Sequence, residues 1–297
     1  GMSARRLSSE LGARALDGAL AAPHFTNLAP TDDGSLAYSE LKASNLRLTD
    51  LAADLSAFAQ LATLDVSHNM LRNLNGLGAL PVLVTLNAAG NSLRRLLDFD
   101  PPPSGSRLRV ADLRDNCISN QASADSFSHP QLETLLLDGN RMASLECLKS
   151  LRCLRRLTVS RNALRDTAGL DGLSSLEHLD LARNQLDSAE ALPSLVGLRT
   201  LHLGHNRLTV LPRLSQLGGL TVVGLESNRF AALREITRPL EGLPTLRALA
   251  FADNPIVDKS EVRLELLWRL PALDEIDGAP VAPRSSTRPA AEEMSRH

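Results

Sequence analysis

The stretch Leu201-His-Leu203-Gly-His-Asn206-Arg-Leu208 shows a frame that recurs along most of the chain. It returns as Leu64-Asp-Val66-Ser-His-Asn69-Met-Leu71 and as Leu157-Thr-Val159-Ser-Arg-Asn162-Ala-Leu164. The asparagine of the frame recurs at steps of 22 to 26 residues, at Asn69, Asn91, Asn116, Asn140, Asn162, Asn184, Asn206, Asn228 and Asn254. An ordinary α/β domain would not keep this phase nine times, so the sequence predicts a repeat architecture.

A frame of Leu-x-Leu-x-x-Asn-x-Leu at this period is typical of the leucine-rich-repeat solenoid, an α/β fold curved as a right-handed superhelix. Alternate aliphatic residues should point inward from a short strand, because side chains alternate along a strand. Aliphatic residues three apart on the return limb predict 3₁₀ turns or short helices on the convex face. About ten parallel strands are expected on the concave face, starting at Leu41, Leu64, Leu86, Ala111, Leu135, Leu157, Leu179, Leu201, Val223 and Leu249.

The recurring asparagine has a structural explanation. Its amide carries donors and an acceptor, so it can pair with backbone groups where the chain turns out of each strand. Repeated in every layer, these bonds should form a ladder along the solenoid.

The pattern divides the chain into four segments: a helical cap and linker over 1–35, repeats over 36–256, a cap over 257–280 and a disordered tail over 281–297. Leu7, Leu11, Ala15 and Leu20 have helical spacing, which predicts a helix within 4–22. The second cap contains a helix with capping-box residues Asp258 and Glu261 and an inward face of Val262, Leu266, Leu267 and Leu270. Helical caps are thus expected at both ends. The only tryptophan, Trp268, lies in the second cap, where packing against the cap is favoured over contact with a partner.

Two repeat units are longer than 22 residues. The first contains the proline- and glycine-rich stretch 98–106, which predicts a mobile loop on the convex side around 101–106. The second contains residues 120–130. Inserted loops of this kind are more often tolerated additions than binding sites.

Composition restricts the class of partner. The net charge is −2 and the pI about 6.4, so the chain has no overall positive potential that would attract nucleic acid or an anionic membrane. No apolar run is long enough to span a bilayer, and the start of the chain lacks the apolar stretch of a signal peptide. Three cysteines, Cys117, Cys147 and Cys153, lack metal-site spacing and cannot form disulfide-bonded caps. We therefore expect an intracellular, cytoplasmic protein.

Enzyme motifs are missing from the sequence. Gly76-Leu-Gly78 lacks the third glycine of a dinucleotide-binding loop, and no phosphate loop, zinc-protease helix or nucleophile elbow is present. His202 and His205 lie three apart, with His178 one layer away, but exposed polar positions are favoured over a metal site. The prediction is a protein without catalytic residues, cofactor, metal or small-molecule substrate.

The candidate protein-binding residues lie on the concave face and divide by charge. Early layers are acidic through Asp65, Asp112 and Asp138, whereas later layers are basic through Arg156, Arg161, Arg183, His178, His202 and His205, with Asp180 among them. Two interpretations remain open: a polarised groove for an acidic partner, or a solvated face without a partner. The face has no row of aromatic residues, which argues against a tight aromatic hot spot.

Particular stretches resemble one family. Ser128-His-Pro-Gln-Leu-Glu-Thr-Leu-Leu-Leu-Asp-Gly-Asn140 and Leu86-Asn-Ala-Ala-Gly-Asn91-Ser-Leu93 are similar to the ciliary leucine-rich-repeat proteins of the radial spokes. The resemblance covers about residues 36–278 and lies within an intracellular class of 22-residue repeats. It implies a structural subunit of the ciliary or flagellar axoneme whose partners are axonemal or other cytoskeletal subunits. The triple proline at 101–103 departs from the family pattern, and the charged C-terminal extension typical of the family is expected to be absent or truncated here.

Two other functions are typical of the same intracellular class. A regulator of protein phosphatase 1 would present an acidic and aromatic concave surface, and this chain lacks the aromatic residues. A nuclear or spliceosomal adaptor usually has fewer than ten repeats.

Overall fold

The computed structural model describes residues 15–16, 22–30, 36–51, 55–119, 129–256 and 262–281. In these ranges the sheet follows chain order, with strands β3 and β5 to β14 parallel and β2 and β15 added antiparallel at the two ends. The strands are β1 (Ala15–Leu16), β2 (Phe25–Pro30), β3 (Leu36–Lys42), β4 (Asp50–Leu51), β5 (Thr63–Asp65), β6 (Thr85–Asn87), β7 (Val110–Asp112), β8 (Thr134–Leu136), β9 (Arg156–Thr158), β10 (His178–Asp180), β11 (Thr200–His202), β12 (Val222–Gly224), β13 (Ala248–Ala250), β14 (Glu275–Ile276) and β15 (Ala279–Pro280).

The parallel strands confirm the predicted solenoid. Each of the ten expected strand positions lies in β3 or in one of β5 to β13. The register is constant, so that Leu157 lies opposite Leu179 and Leu179 opposite Leu201. These three side chains are at most 1% exposed. Burying a leucine stabilises the fold by about 1.5–3 kcal/mol, so the stacked aliphatic columns are the main source of stability.

The return limbs contain short helices, as the three-residue spacing predicted. Leu192, Leu195 and Leu198 are fully buried because residues three apart lie on one side of a 3₁₀ turn. No helix in the described ranges is both long and apolar enough to cross a bilayer. The 3₁₀ turns on these limbs cover Ser56–Phe58, Leu77–Ala79, Glu146–Leu148 and Leu192–Ser194, and helix α1 covers Arg234–Leu240.

The asparagine ladder is confirmed bond by bond. The Asn184 Oδ1 atom accepts a hydrogen bond from the amide of Leu164 in the preceding layer at 3.0 Å. Its Nδ2 atom donates to the carbonyl of Val159 at 2.9 Å, also in the preceding layer, and to that of Leu181 at 3.0 Å in its own layer. The other eight ladder asparagines repeat this pattern. Every ladder member except the half-buried Asn162 is buried.

The residue before each ladder asparagine has a left-handed backbone, a feature that the sequence pattern did not reveal. Gly90 (φ 66°) and Gly139 (φ 69°) adopt it at little cost. At the other seven positions a residue other than glycine adopts this conformation, and none of the seven is β-branched. They are His68, Asp115, Arg161, Arg183, His205, Ser227 and Asp253. The left-handed residue turns the chain sharply out of each strand and places the next side chain, the asparagine, inside the solenoid.

The N-terminal end differs from the predicted helical cap. Ala15–Leu16 are extended and pair with Asp50–Leu51, and the buried Leu16 joins the hydrophobic core. A 3₁₀ turn follows at Ala22–His24, and β2 then covers the first repeat strand as its antiparallel neighbour. The remaining positions of the predicted helix, including Leu7, Leu11 and Leu20, lie outside the described residues. Strand pairing covers this edge because β3 offers backbone N–H and C=O groups that a helix cannot satisfy.

At the C-terminal end, helix α2 spans Val262–Arg269 and is followed by the strand pair β14 and β15. Leu266 and Leu270 are buried, one turn apart on the inner face. Trp268 lies two residues after Leu266, about 200° around the helix, and is 79% exposed. The prediction that this tryptophan packs in the cap is therefore wrong. The proposed capping residues Asp258 and Glu261 lie outside the described residues.

The two long repeat units are joined to each other. Ser106 and His129 are buried, and the Ser106 hydroxyl forms a 2.7 Å hydrogen bond with Nδ1 of His129. The ring of Phe99 lies 4.8 Å from the His129 ring, centroid to centroid. Residues 103–105 are exposed at the tip of the first insertion, whereas both ends of the tip are fixed by these contacts. Residues 120–128 of the second insertion lie outside the described ranges.

Candidate functional site

Three rows of side chains cross the concave face from layer to layer. The first residue of each short strand forms the first row, the last residue forms the central row, and the residue two positions later forms the third row. In β10 these are His178, Asp180 and Ala182, while Leu179 and Leu181 point into the core. The left-handed residue, here Arg183, stands at the edge of the face.

Several carboxylates of the central row have a structural partner. The Oδ1 atoms of Asp65 and Asp180 accept hydrogen bonds from the backbone amides of Ser67 and Ala182, each at 2.9 Å. Asp112 caps the amide of Arg114 in the same way, and its carboxylate also binds the guanidinium of Arg114 at 2.6 Å. These side chains order the turn that follows the strand, in addition to any contact with a partner.

Asp138 performs the same task for its neighbour. It belongs to the third row, and its carboxylate accepts a 2.6 Å hydrogen bond from the Thr158 hydroxyl and a 2.7 Å bond from the Ser160 amide in the next layer. Thr158 stands where four other layers have Asp or Asn, so a carboxylate from the preceding layer supplies the cap that threonine lacks.

The basic candidates are exposed and lie towards the sides of the face. Arg156 begins β9, whereas Arg161 and Arg183 occupy left-handed edge positions. Arg161 approaches Asp115 at 3.5 Å, an exposed contact that contributes at most about 1 kcal/mol. Arg156 and Arg183 form no ion pair with any residue in the described ranges.

The three histidines do not converge on one point. His178 Nδ1 lies 3.1 Å from the Thr200 hydroxyl, and burial together with the nearby Arg156 lowers the pKa of His178. The His202 side chain lies over Gly224 in the next layer, whereas His205 is exposed at a left-handed edge position. Among the described residues there is no group of three or more His, Cys, Asp and Glu side chains that could hold a metal ion.

Glu226 joins this face, and the sequence reasoning did not select it. It lies in the third row, and its carboxylate contacts the positions that a Cβ atom would occupy on Gly204 and Gly224. The two glycines therefore let Glu226 lie back across β11, beside His202. Burial raises the pKa of Asp180, and the charges of Asp138 and Glu226 add to this, against the hydrogen bond from the Ala182 amide and the charge of His202. Glycine is unusual at a strand position, so Gly224 in β12 was a signal available in the sequence.

A second feature missed from sequence is a row of alternating charge before the strands. Glu177 lies 3.0 Å from Arg155 and 3.5 Å from Arg199, its neighbours in the adjacent layers. Arg109 and Glu133 form a similar contact at 3.4 Å. These exposed pairs contribute little stability, but they neutralise one side of the concave face. The charges available to a partner are therefore those further along each strand.

The arrangement offers no clear catalytic chemistry in the described residues. The Ser106–His129 pair is enclosed, and burial lowers the pKa of His129 to about 4, so it is a structural contact. Burial also raises the pKa of the Cys147 thiol to about 11, which disfavours the reactive thiolate.

Comparison with known proteins agrees with the fold. A leucine-rich-repeat family model matches residues 172–189. Human leucine-rich repeat-containing protein 23 is 35% identical over an alignment of 264 residues, which covers 81% of this chain and 68% of the human protein. The chain belongs to the leucine-rich-repeat family. The bovine protein of the same name is also 35% identical, over 106 residues that cover 36% of this chain and 29% of its own.

Solved structures of leucine-rich-repeat proteins share the architecture. The internalin InlF from Listeria monocytogenes superposes with a TM-score of 0.52 at 16% identity, covering 84% of this chain and 91% of the internalin. The plant peptide hormone receptor RGFR1, solved in complex with RGF2, gives a TM-score of 0.56 at 20% identity, covering 77% of this chain and 41% of the receptor. At these identities the likeness extends to the fold, which is typical of protein–protein interaction.

Proposed function

We propose that this leucine-rich-repeat protein is a non-enzymatic scaffold that binds another protein on its concave sheet. The observation that carries the proposal is the exposed and unpaired state of Arg156 and Arg183 within the described residues. Neither guanidinium caps a turn or joins the neutralised row of Arg155, Glu177 and Arg199. Charges that the fold does not use are available for an acidic segment of a partner.

We further propose that the partner belongs to the ciliary or flagellar axoneme, in a radial spoke. Support comes from the resemblance of residues 86–93 and 128–140 to the ciliary radial-spoke family, and the similarity to leucine-rich repeat-containing protein 23 is compatible with it. Regulation of protein phosphatase 1 is less favoured because the central and third rows of β5 to β12 lack aromatic side chains. A spliceosomal adaptor is less favoured because the sheet contains ten repeat strands.

The test is a charge reversal that leaves the core intact. A tagged copy carrying Arg156→Glu and Arg183→Glu is expressed in ciliated cells beside the unchanged protein, and incorporation into isolated axonemes is measured. We expect loss of incorporation at an unchanged melting temperature, because both side chains are exposed.

The control carries the same change of charge on the return limbs, with Arg152→Glu and Arg213→Glu at exposed positions. It should incorporate normally. Normal incorporation of the concave variant would show that another surface makes the contact. Absence of the unchanged protein from the axoneme would overturn the location, and a binding assay with the true partner would then decide about the face.

A further inference from the structure

The edge of the sheet that follows the strands carries positive charge in five consecutive layers. Each layer from β8 to β12 has one arginine directly before or directly after its ladder asparagine, and all five side chains are exposed. At these two positions the same layers contain no acidic residue. We call this surface the arginine edge, and its residues are Arg141, Arg161, Arg183, Arg207 and Arg229.

The opposite edge of the sheet is arranged differently. There the charges alternate in sign, and Glu177 contacts both Arg155 and Arg199. On the arginine edge, by contrast, Arg207 and Arg229 occupy the same position in adjacent layers. Like charges on neighbouring strands repel each other, so the fold has an unfavourable interaction on one edge that it avoids on the other. An anionic ligand on the arginine edge would relieve this repulsion.

The carboxylates of the described residues leave most of this charge unpaired. Arg161 approaches the exposed Asp115 at 3.5 Å, and the other four arginines form no ion pair within the described ranges. Nearby acidic side chains have other partners. Asp138 accepts hydrogen bonds from the next layer, and Asp166 accepts one from the backbone of its own turn at 3.0 Å.

Backbone hydrogen bonds fix the spacing of the arginine edge. The amides of Arg141, Arg207 and Arg229 each donate to a carbonyl of the preceding layer at 2.9 Å. Those of Arg161 and Arg183 donate to the following layer at 3.0 and 2.8 Å. Neighbouring strands lie about 4.8 Å apart, so the five arginines start from points spread over roughly 20 Å. An extended chain of about six residues has this length.

We infer that the arginine edge binds an extended acidic segment of a partner protein, which lies across the layers of β8 to β12 and perpendicular to their strands. Guanidinium groups pair with carboxylates through charge-assisted hydrogen bonds, and the array matches a run of acidic residues. Single-stranded nucleic acid fits less well, because no aromatic side chain stands at these positions for a base to stack on. The inference rests on the proposed scaffold function but concerns a second surface, and only Arg183 is common to both.

The probe is a fluorescein-labelled peptide of six consecutive glutamates flanked by glycines. Its binding to the full chain is measured by fluorescence anisotropy at low ionic strength, where screening is weak. The edge variant carries Arg141→Gln, Arg207→Gln and Arg229→Gln, and it keeps Arg156 and Arg183 of the proposed concave site.

The matched control carries Arg109→Gln, Arg155→Gln and Arg199→Gln on the opposite edge. These side chains are exposed as well, so both variants lose the same charge and should keep the urea midpoint of the unchanged protein. A third variant, Arg156→Glu, reports on the concave sheet alone.

We expect the edge variant to bind the glutamate peptide about tenfold more weakly, because three exposed ion pairs are lost, and the control to bind it as the unchanged protein does. Equal weakening in both variants, or no binding to the unchanged protein, would overturn the inference. So would a single-stranded DNA of six phosphates that binds more tightly than the peptide and depends equally on the edge, since the surface would then recognise nucleic acid.

Two outcomes separate this inference from the proposed function. Weaker binding with Arg156→Glu and unchanged binding with the edge variant would overturn the inference and leave the concave site intact. Weaker binding with the edge variant, together with normal axonemal incorporation of the protein changed at Arg156 and Arg183, would support the arginine edge while the concave site fails.

Discussion

At the scale of single residues, the ladder asparagine is set apart by the number of backbone groups it satisfies at once. The side chain of Asn184 bonds to the amide of Leu164 and the carbonyls of Val159 and Leu181, which belong to two layers. Glutamine is too long for this geometry, and aspartate has no N–H to donate. The sequence predicted this role correctly because the chemistry is the same in every layer, and so leaves a periodic mark.

Replacing Asn184 with alanine leaves these buried backbone groups unpaired. We expect the free energy of unfolding to fall by about 1–3 kcal/mol, measured by urea denaturation. The control is Asn75→Ala, at an exposed position of the return limb, which should change stability by no more than about 0.5 kcal/mol. Equal denaturation midpoints for the two variants would contradict a structural role for the ladder.

The elements show where sequence reasoning stopped. Strands β5 to β13 were predictable because each one meets the same neighbours in the same register. β2 and the exposed Trp268 belong to the ends, where each contact occurs once and leaves no period to detect. The orientation of the Glu226 side chain across β11 was also not predictable from the sequence, because it depends on two glycines in different layers. The sequence therefore predicted which residues lie in the rows of the concave face. It did not predict which of their side chains contact one another.

The contact between the two insertions predicts a pH dependence of stability. Burial lowers the pKa of His129 to about 4 in the folded protein, below its usual 6.5. Between these values the unfolded chain binds more protons, so the free energy of unfolding decreases as the pH falls from 6.5 towards 4. Each pKa unit corresponds to about 1.4 kcal/mol, which sets an upper limit of roughly 3 kcal/mol.

The measurement is urea denaturation at pH 7.5 and pH 4.5 for the unchanged protein and for His129→Asn, which keeps a polar atom near Ser106 but does not titrate. Carboxylates titrate in both proteins and cancel in the comparison. The unchanged protein should lose more stability on acidification than the variant. An identical loss in both would show that His129 is protonated without breaking the contact between the insertions.

At the scale of the whole molecule, the sheet is a one-dimensional stack in which each repeat layer contacts only its neighbours. A local defect should then act locally. We expect Asn184→Ala to accelerate hydrogen exchange, followed by mass spectrometry, most in β9, β10 and β11. The side-chain amide of Asn184 joins the layers of β9 and β10, and it also supports the turn between β10 and β11. The effect should decline towards β5 and β13, where the ladder and the leucine columns are unchanged. Asn75→Ala should leave the exchange pattern as it is. Uniform acceleration over all strands would instead mean that the solenoid opens only as a single cooperative unit, so that coupling between layers exceeds the stability of any one of them.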